Sequence, residues 1–470
     1  MEDLAPTSRP APAPGALAPG GLAPAAPAAP ADPAAPAPAS AARPLRHEAG
    51  AQVAAAPRPA EGAGTDLRPR ATLALLSAQH GFIHAQTALL PLVFIAITPV
   101  FGIGVGEIGL LIAAGNVLAG GVQLAYAPLQ RIVTRRTILG VGGIAFGAAM
   151  TVTGLAASWA AFSAATIAAR VAGSPQHPVG NALIAEQRPD RARPAAIAVH
   201  IAGGNLGTVA VPLVGAWVIA SFGWPIAVAA VGIPALVVGA LILVVVRESG
   251  VDRAAALAHG SVRAAFRDVL REPDLRRLFA ASSIAAAGRG IGVVATFVPL
   301  YLSRSLDLDA GTVALMYTLL LAGSVPGPLI AGRLAGRYGH RPVLAWSYVA
   351  GAAALVLLIL AGGSPVLLWL AVALVGAFVF EEASLLQGLL VEAAPAQIRD
   401  AANSAYFTLM FVVGAAWAAL LGVLVATLGD DVGFPVAFLL MAASYLVAIG
   451  FVLRMHAGGR PAAAPIGKVE

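Results

Sequence analysis

From Leu73 onward the chain is written as apolar runs of about 20 residues parted by short polar loops, the length that crosses the hydrocarbon core of a bilayer. The runs fall near 73–99, 107–128, 137–157, 161–184, 195–221 and 225–246. After a charged connector they resume near 278–302, 311–332, 342–361, 365–388, 402–427 and 434–454. Inside lipid each backbone amide must find its partner within its own segment, so runs of this kind are helices. The expectation is an all-α membrane protein of twelve transmembrane helices. Composition agrees: 59% of residues are hydrophobic and 11% charged, against about a quarter charged in soluble domains.

Five regions follow from the pattern. Residues 1–70 form an Ala/Pro-rich tail with almost no aromatics, which cannot bury enough surface to offset chain entropy and is expected to be disordered. It lacks the apolar core and cleavage site of a secretory signal. Residues 71–247 hold six spans, 248–277 are the connector, 278–456 hold six more, and 457–470 are a second tail. In the connector, Val262, Phe266, Val269 and Leu270 share one helical face, with Arg263, Arg267 and Arg271 on another. Either an amphipathic helix on the membrane surface or a solvated linker helix fits that pattern.

Arginines set the orientation. Arg131, Arg135, Arg136, Arg188, Arg191, Arg193, Arg333, Arg337, Arg341 and Arg399 fall on the side of the connector and both tails. The opposite loops hold only Arg304, beside Glu107, Asp307, Asp309, Asp430 and Asp431. The positive-inside rule places both termini in the cytoplasm of a bacterial-type inner membrane, crossed many times. A basic balance of this origin is an orientation signal, and no nucleic-acid partner is expected. With no cysteine, disulfides and thiolate chemistry are excluded.

The halves repeat. Leu183-Ile-Ala-Glu186 recurs as Leu389-Leu-Val-Glu392, and the same 206-residue shift carries Pro189 onto Pro395 and Arg193 onto Arg399. Arg136-Thr-Ile-Leu139 matches Arg341-Pro-Val-Leu344 within one residue, and Leu90-Pro-Leu92 resembles Val298-Pro-Leu300. Six spans per half make equivalent helices cross in the same direction, a parallel repeat of two six-helix bundles with the substrate route expected between them.

Gly332-Arg-Leu-Ala-Gly-Arg-Tyr-Gly-His-Arg341 resembles the loop signature of the major facilitator superfamily, with Gly336 where the family has an aspartate; the first-half loop keeps only Arg135-Arg136. Arg170-Val-Ala-Gly173 resembles the family's fourth-helix signature. Gly203 to Gly215, with Pro212, resembles the glycine-rich fifth helix of proton-coupled antiporters, although Val211 replaces a glycine. Gln176-His177-Pro178 followed by Gly203-Gly-Asn205-Leu-Gly207, with His80 in the first span, resembles the fosmidomycin-resistance-type branch of efflux carriers, with His84 in place of that branch's acid. The resemblance spans 71–455 and implies two six-helix bundles and alternating access. It also implies a gating loop at Arg135, Arg136, Gly332, Arg337, Gly339 and Arg341.

Polar groups within the spans mark the candidate site, because ionisable side chains in a membrane are costly and usually functional. His80 and His84 stack on one face of the first helix, fit to carry a coupling proton or to fix packing. Their spacing also suits a metal, but no nearby acid completes a site and none is expected. Arg289 in the seventh span needs a carboxylate partner, and Glu381 and Glu382 in the tenth are the candidates. Adjacent residues point about 100° apart, so one of them faces the cavity. The pair either exchanges protons or locks two helices. Arg170 either attracts an anionic substrate group or caps carbonyls freed at Pro175 and Pro178. Asn205 is the deeper, pore-lining amide. Asn181, His200 and Tyr406 are secondary candidates, and His177 reads as packing support beside two prolines.

The expected activity is proton-coupled efflux of a small organic compound by a functional monomer; uptake symport, or a sensor that keeps the carrier shape, are the alternatives. No Walker loop, catalytic triad or cofactor motif is present, so neither ATP use nor enzyme activity is expected.

Overall fold

The computed structural model describes residues 67–130, 132–189, 192–248, 262–361, 363–395 and 398–456. The tails expected at 1–70 and 457–470 lie outside these but for residues 67–70, as do Arg131, Arg191 and the side chains of Val262 and Arg263. All regular elements among the described residues are helical. We label the spans α1 (Pro69–Phe101), α2 (Val105–Leu129), α3 (Arg135–Gly154), α4 (Trp159–Gly173 and Pro178–Glu186), α5 (Arg193–Phe222) and α6 (Trp224–Val245). The second half holds α7 (Pro273–Ala285 and Ala295–Arg304), α8 (Ala310–Ala322 and Pro326–Tyr338) and α9 (His340–Leu360). It closes with α10 (Pro365–Val379 and Glu382–Ala393), α11 (Arg399–Leu428) and α12 (Asp430–Leu453).

Eleven of these are long and apolar enough to cross a bilayer unaided. The twelfth, α4, falls short only because Pro175 and Pro178 interrupt it, leaving pieces of 15 and 9 residues around a short 3-10 turn. Helix starts follow local chemistry: Thr134, Ser158, Asp309 and Ser364 each accept a backbone N–H of the first turn.

The repeat is visible in the backbone. Gly223 and Gly429, 206 apart, turn α5 into α6 and α11 into α12 with φ of 85° and 77°. The break in α4 is matched at Phe380–Glu381 of α10, where no proline forces it. Arg135 pairs with Glu186, and the equivalent His340 Nδ1 lies 2.6 Å from Glu392 Oε1. Each tie joins the start of a third helix to the end of a fourth, so it braces one half instead of latching two together. Arg136 gives its backbone N–H to Glu248, Arg341 bonds the Met455 carbonyl, and Arg337 lies over the Tyr338 ring. Gly339 supplies the left-handed turn between α8 and α9, and Gly332 is exposed.

Within the first half α3 packs along α6 and α1 along α5; within the second, α9 packs on α12 and α10. The seam between halves is made by α2 against α11, the first part of α8 against α5, and α1 against the last part of α7. At the end away from the arginine-rich loops, Arg304 Nε donates to Asp430 Oδ2 at 2.9 Å. In the connector helix (Val262–Arg271), Val269 is buried and Leu270 is 59% exposed. The four-residue apolar face expected there is therefore split.

Candidate functional site

Two polar centres sit where the repeat breaks its helices. In the first half, α1 and α5 run backbone to backbone at Gly81 and Gly207, and this closeness carries His80 and His84 into α5. His80 is buried, and its Nδ1 donates to the His200 carbonyl at 2.9 Å. His84 Nδ1 lies 3.0 Å from Thr208 Oγ1, whose own hydroxyl donates to the Gly204 carbonyl at 3.2 Å. The break in α4 swings His177 into the same place. Its ring centroid lies 4.7 Å from His80 and 5.9 Å from His84, while the His200 ring stacks on His80 at 4.4 Å.

Four imidazoles thus gather from three helices, with no acidic hydrogen-bond partner on any of them among the described residues. His177 is exposed on one side while its ring meets those of His80 and His84, and Gln176 turns inward to donate to the Leu76 carbonyl at 2.7 Å. Gly204 makes room for this cluster: a Cβ there would meet the His80 ring at 2.8 to 3.0 Å. Gly204→Ala is expected to push His80 off the His200 carbonyl, at about 1–3 kcal/mol in stability. Thermal unfolding of the purified chain measures it.

In the second half the α7 helix is interrupted at Arg289, whose backbone is extended between a 3-10 turn and a π turn. From that break Arg289 reaches the break in α10. Its Nη2 donates to the Ser282 carbonyl and Oγ at 3.1 Å each, and Nε stands 3.5 Å from Glu382 Oε2. Tyr348 donates to Glu382 Oε1 at 3.3 Å, and the Tyr406 hydroxyl is buried without a partner. Glu382 is therefore the carboxylate that meets Arg289. Glu381, also buried, turns toward Gly327 of α8. Gln176 and Glu382 occupy equivalent positions 206 apart, each reaching from a broken fourth helix to the first helix of its half.

Arg170 packs against Gly115 of α2 and lines a narrow crevice with Gln86 and Thr166. Its Nε is buried without a partner, and no carbonyl at Pro175 or Pro178 takes it as a cap among the described residues. A second, narrow crevice lies at the seam between His84, Thr87 and Thr208 on one side and Ile291, Ala295 and Tyr317 on the other. Asn181 and Asn205 are half-exposed and take no part in the side-chain hydrogen bonds described. Sequence reading missed Thr208, Ser282 and Tyr348, and gave Gln176 only as part of a motif. Each is a common polar residue whose role appears only through a neighbour from another helix.

The model of the Major Facilitator Superfamily matches residues 76–416 and 278–468, most of the chain. The chain belongs to the major facilitator superfamily. The superfamily's solved members share its architecture at low identity. A D-xylose–proton symporter aligns with a TM-score of 0.70 at 15% identity, covering 84% of this chain and 99% of that one. A mutant of the nucleoside transporter NupG gives 0.67 at 15%, covering 83% and 100%. A bacterial homologue of the human lysosomal transporter Spinster, inward-facing and unoccupied, gives 0.63 at 15%, covering 82% and 95%. No curated protein matches. As a superfamily member the chain is a multi-pass membrane transporter for small molecules, and not an enzyme.

Proposed function

We propose that this carrier exports a small organic solute in exchange for protons. The halves 71–247 and 278–456 are the moving bodies, 248–277 is their tether, and one chain suffices as the working unit. The observation that carries the reading is the buried Arg289–Glu382 pair. Its atoms approach only to 3.5 Å, and Arg289 Nε, Arg289 Nη1 and Glu382 Oε2 are all buried without a hydrogen bond. A carboxylate held that loosely by its cation can take a proton as the pair parts and lose it as the pair re-forms, a two-state element that both bundle positions can bias. Proton exchange is assigned to Glu382, whose buried pairing with Arg289 can open and close. The solute route is assigned to the seam between the halves, which His84, Thr87 and Thr208 line on one side and Ile291, Ala295 and Tyr317 on the other; Arg170, with its Nε unpartnered in the neighbouring crevice, favours an anionic group on the way. Direction rests on the resemblance of the Gln176-His177-Pro178 and Gly203–Gly207 stretches to efflux carriers. Membrane sidedness, with termini cytoplasmic, rests on the arginine loops.

The test is a solute panel in proteoliposomes loaded at acid pH. Solute-dependent proton release, with solute moving against the proton flow, is expected. Solute movement indifferent to the pH gradient overturns the coupling, and co-directional movement makes the chain a symporter.

A further inference from the structure

The histidine cluster is more than the carrier reading requires, and its hydrogen bonds fix what it can do. A carbonyl oxygen can only accept, so His80 Nδ1 bears the proton in its bond to the His200 carbonyl. Thr208 gives its hydroxyl proton to the Gly204 carbonyl, so its oxygen accepts from His84 Nδ1–H. A neutral imidazole with a proton on Nδ1 has a bare lone pair on Nε2. Both helix-1 histidines are therefore held in one tautomer by a neighbour behind them, the arrangement that outer partners impose on metal-ligating histidines. His80 Nε2 is buried with no partner, and so are both ring nitrogens of His200.

His177 comes from the exposed break in α4, and one ligand atom each of His80, His84 and His177 lies within 4.8 Å of the others. An ion bound at about 2.0–2.1 Å from each nitrogen needs those atoms closer. A change of the His177 side-chain rotamer on its exposed turn is the movement that would bring them closer. We infer that His80, His84 and His177 form a binding site for a divalent transition-metal ion, with a further coordination position open to water or to a solute. An all-imidazole set without carboxylate selects zinc, nickel, cobalt or copper over magnesium and calcium. His200, stacked on His80, walls the site on its buried side.

The experiment uses the full chain, purified in detergent, stripped by chelator and titrated with Co²⁺. One Co²⁺ per chain is expected, with the intense visible absorption of a tetrahedral nitrogen site, displaced by Zn²⁺ and not by Mg²⁺ or Ca²⁺. His177→Ala, on an exposed turn, is expected to abolish that absorption while thermal unfolding shows the chain still folded. Thr208→Val, which removes only the outer partner of His84, should weaken binding by about 10–100-fold. His340→Ala, which removes the exposed histidine paired with Glu392, should change nothing. Absence of Co²⁺ binding below millimolar concentration, or binding unchanged in His177→Ala, overturns the site. Glu382→Gln should leave Co²⁺ binding intact whatever it does to proton exchange, so the two proposals fail separately.

Discussion

Arg289→Gln is expected to unfold at a markedly lower temperature than the parent chain and to transport nothing. The double variant Arg289→Gln with Glu382→Gln is expected to regain most of the stability and none of the transport. Removing one member of a buried ion pair strands the other as an uncompensated charge, typically at about 3–5 kcal/mol. Here the stranded group is Glu382, 3% exposed, with Tyr348 as its remaining donor. The reverse change, Glu382→Gln, is milder. Arg289 keeps the Ser282 carbonyl and hydroxyl, and the new amide oxygen still accepts from Tyr348.

The pair of measurements separates a lock from an exchanger. If the pair only ties α7 to α10, a neutral double variant that restores stability restores transport as well. If Glu382 carries the proton, transport coupled to pH is lost in all three variants, whatever their stability. Solute exchange without a pH gradient is the informative remainder: it should survive best in Glu382→Gln, where the cavity shape changes least. Transport by the stable double variant would remove Glu382 from the mechanism.

Much of this architecture is written in short-range pattern. Apolar runs give the helices because lipid leaves no other backbone solution, and the 206-residue echo shows as matched glycine turns, matched breaks and matched Arg135–Glu186 and His340–Glu392 ties. The tenth span offers two adjacent carboxylates to Arg289, helical geometry lets one of them face it, and packing selects Glu382. What stayed hidden depends on which helices touch. The pairing of α1 with α5 sets His200 and Thr208 beside the two helix-1 histidines, and nothing in the spacing of either segment encodes that register. Pro175 and Pro178 signal the break in α4, but not which way the turn carries His177. The loops lack the family's aspartate at Gly336, yet Glu186 and Glu392 hold them from the neighbouring helix.

Gly207→Ala is expected to be the most damaging single methyl that can be added to this chain near the site. A Cβ there would lie 2.0 Å from the Gly81 carbonyl oxygen and 2.8 Å from its carbon, both backbone atoms of α1. A clash with a flexible side chain is relieved by a rotamer change, but a clash with backbone is relieved only by moving a helix. In a membrane no hydrophobic effect draws helices together, so close van der Waals contact through small residues is the main adhesive, and separating α1 from α5 forfeits it over their length. Overpacking usually costs about 1–3 kcal/mol and can exceed that where the backbone must yield. The loss should therefore be larger than for Gly204→Ala, where the obstacle is the His80 ring. It should also reach the site, because His84 meets Thr208 one residue beyond Gly207. The matched control is Gly450→Ala in α12, where an added Cβ has nothing within 4 Å. There the change removes only unfolded-chain entropy and should leave stability level or raise it by up to about 1 kcal/mol. Opposite signs for these two substitutions in thermal unfolding, with transport lost only in the first, are the expected result. Equal tolerance at both positions would mean that α1 and α5 stand further apart than the Gly81–Gly207 contact requires, and the histidine cluster would lose the packing that assembles it.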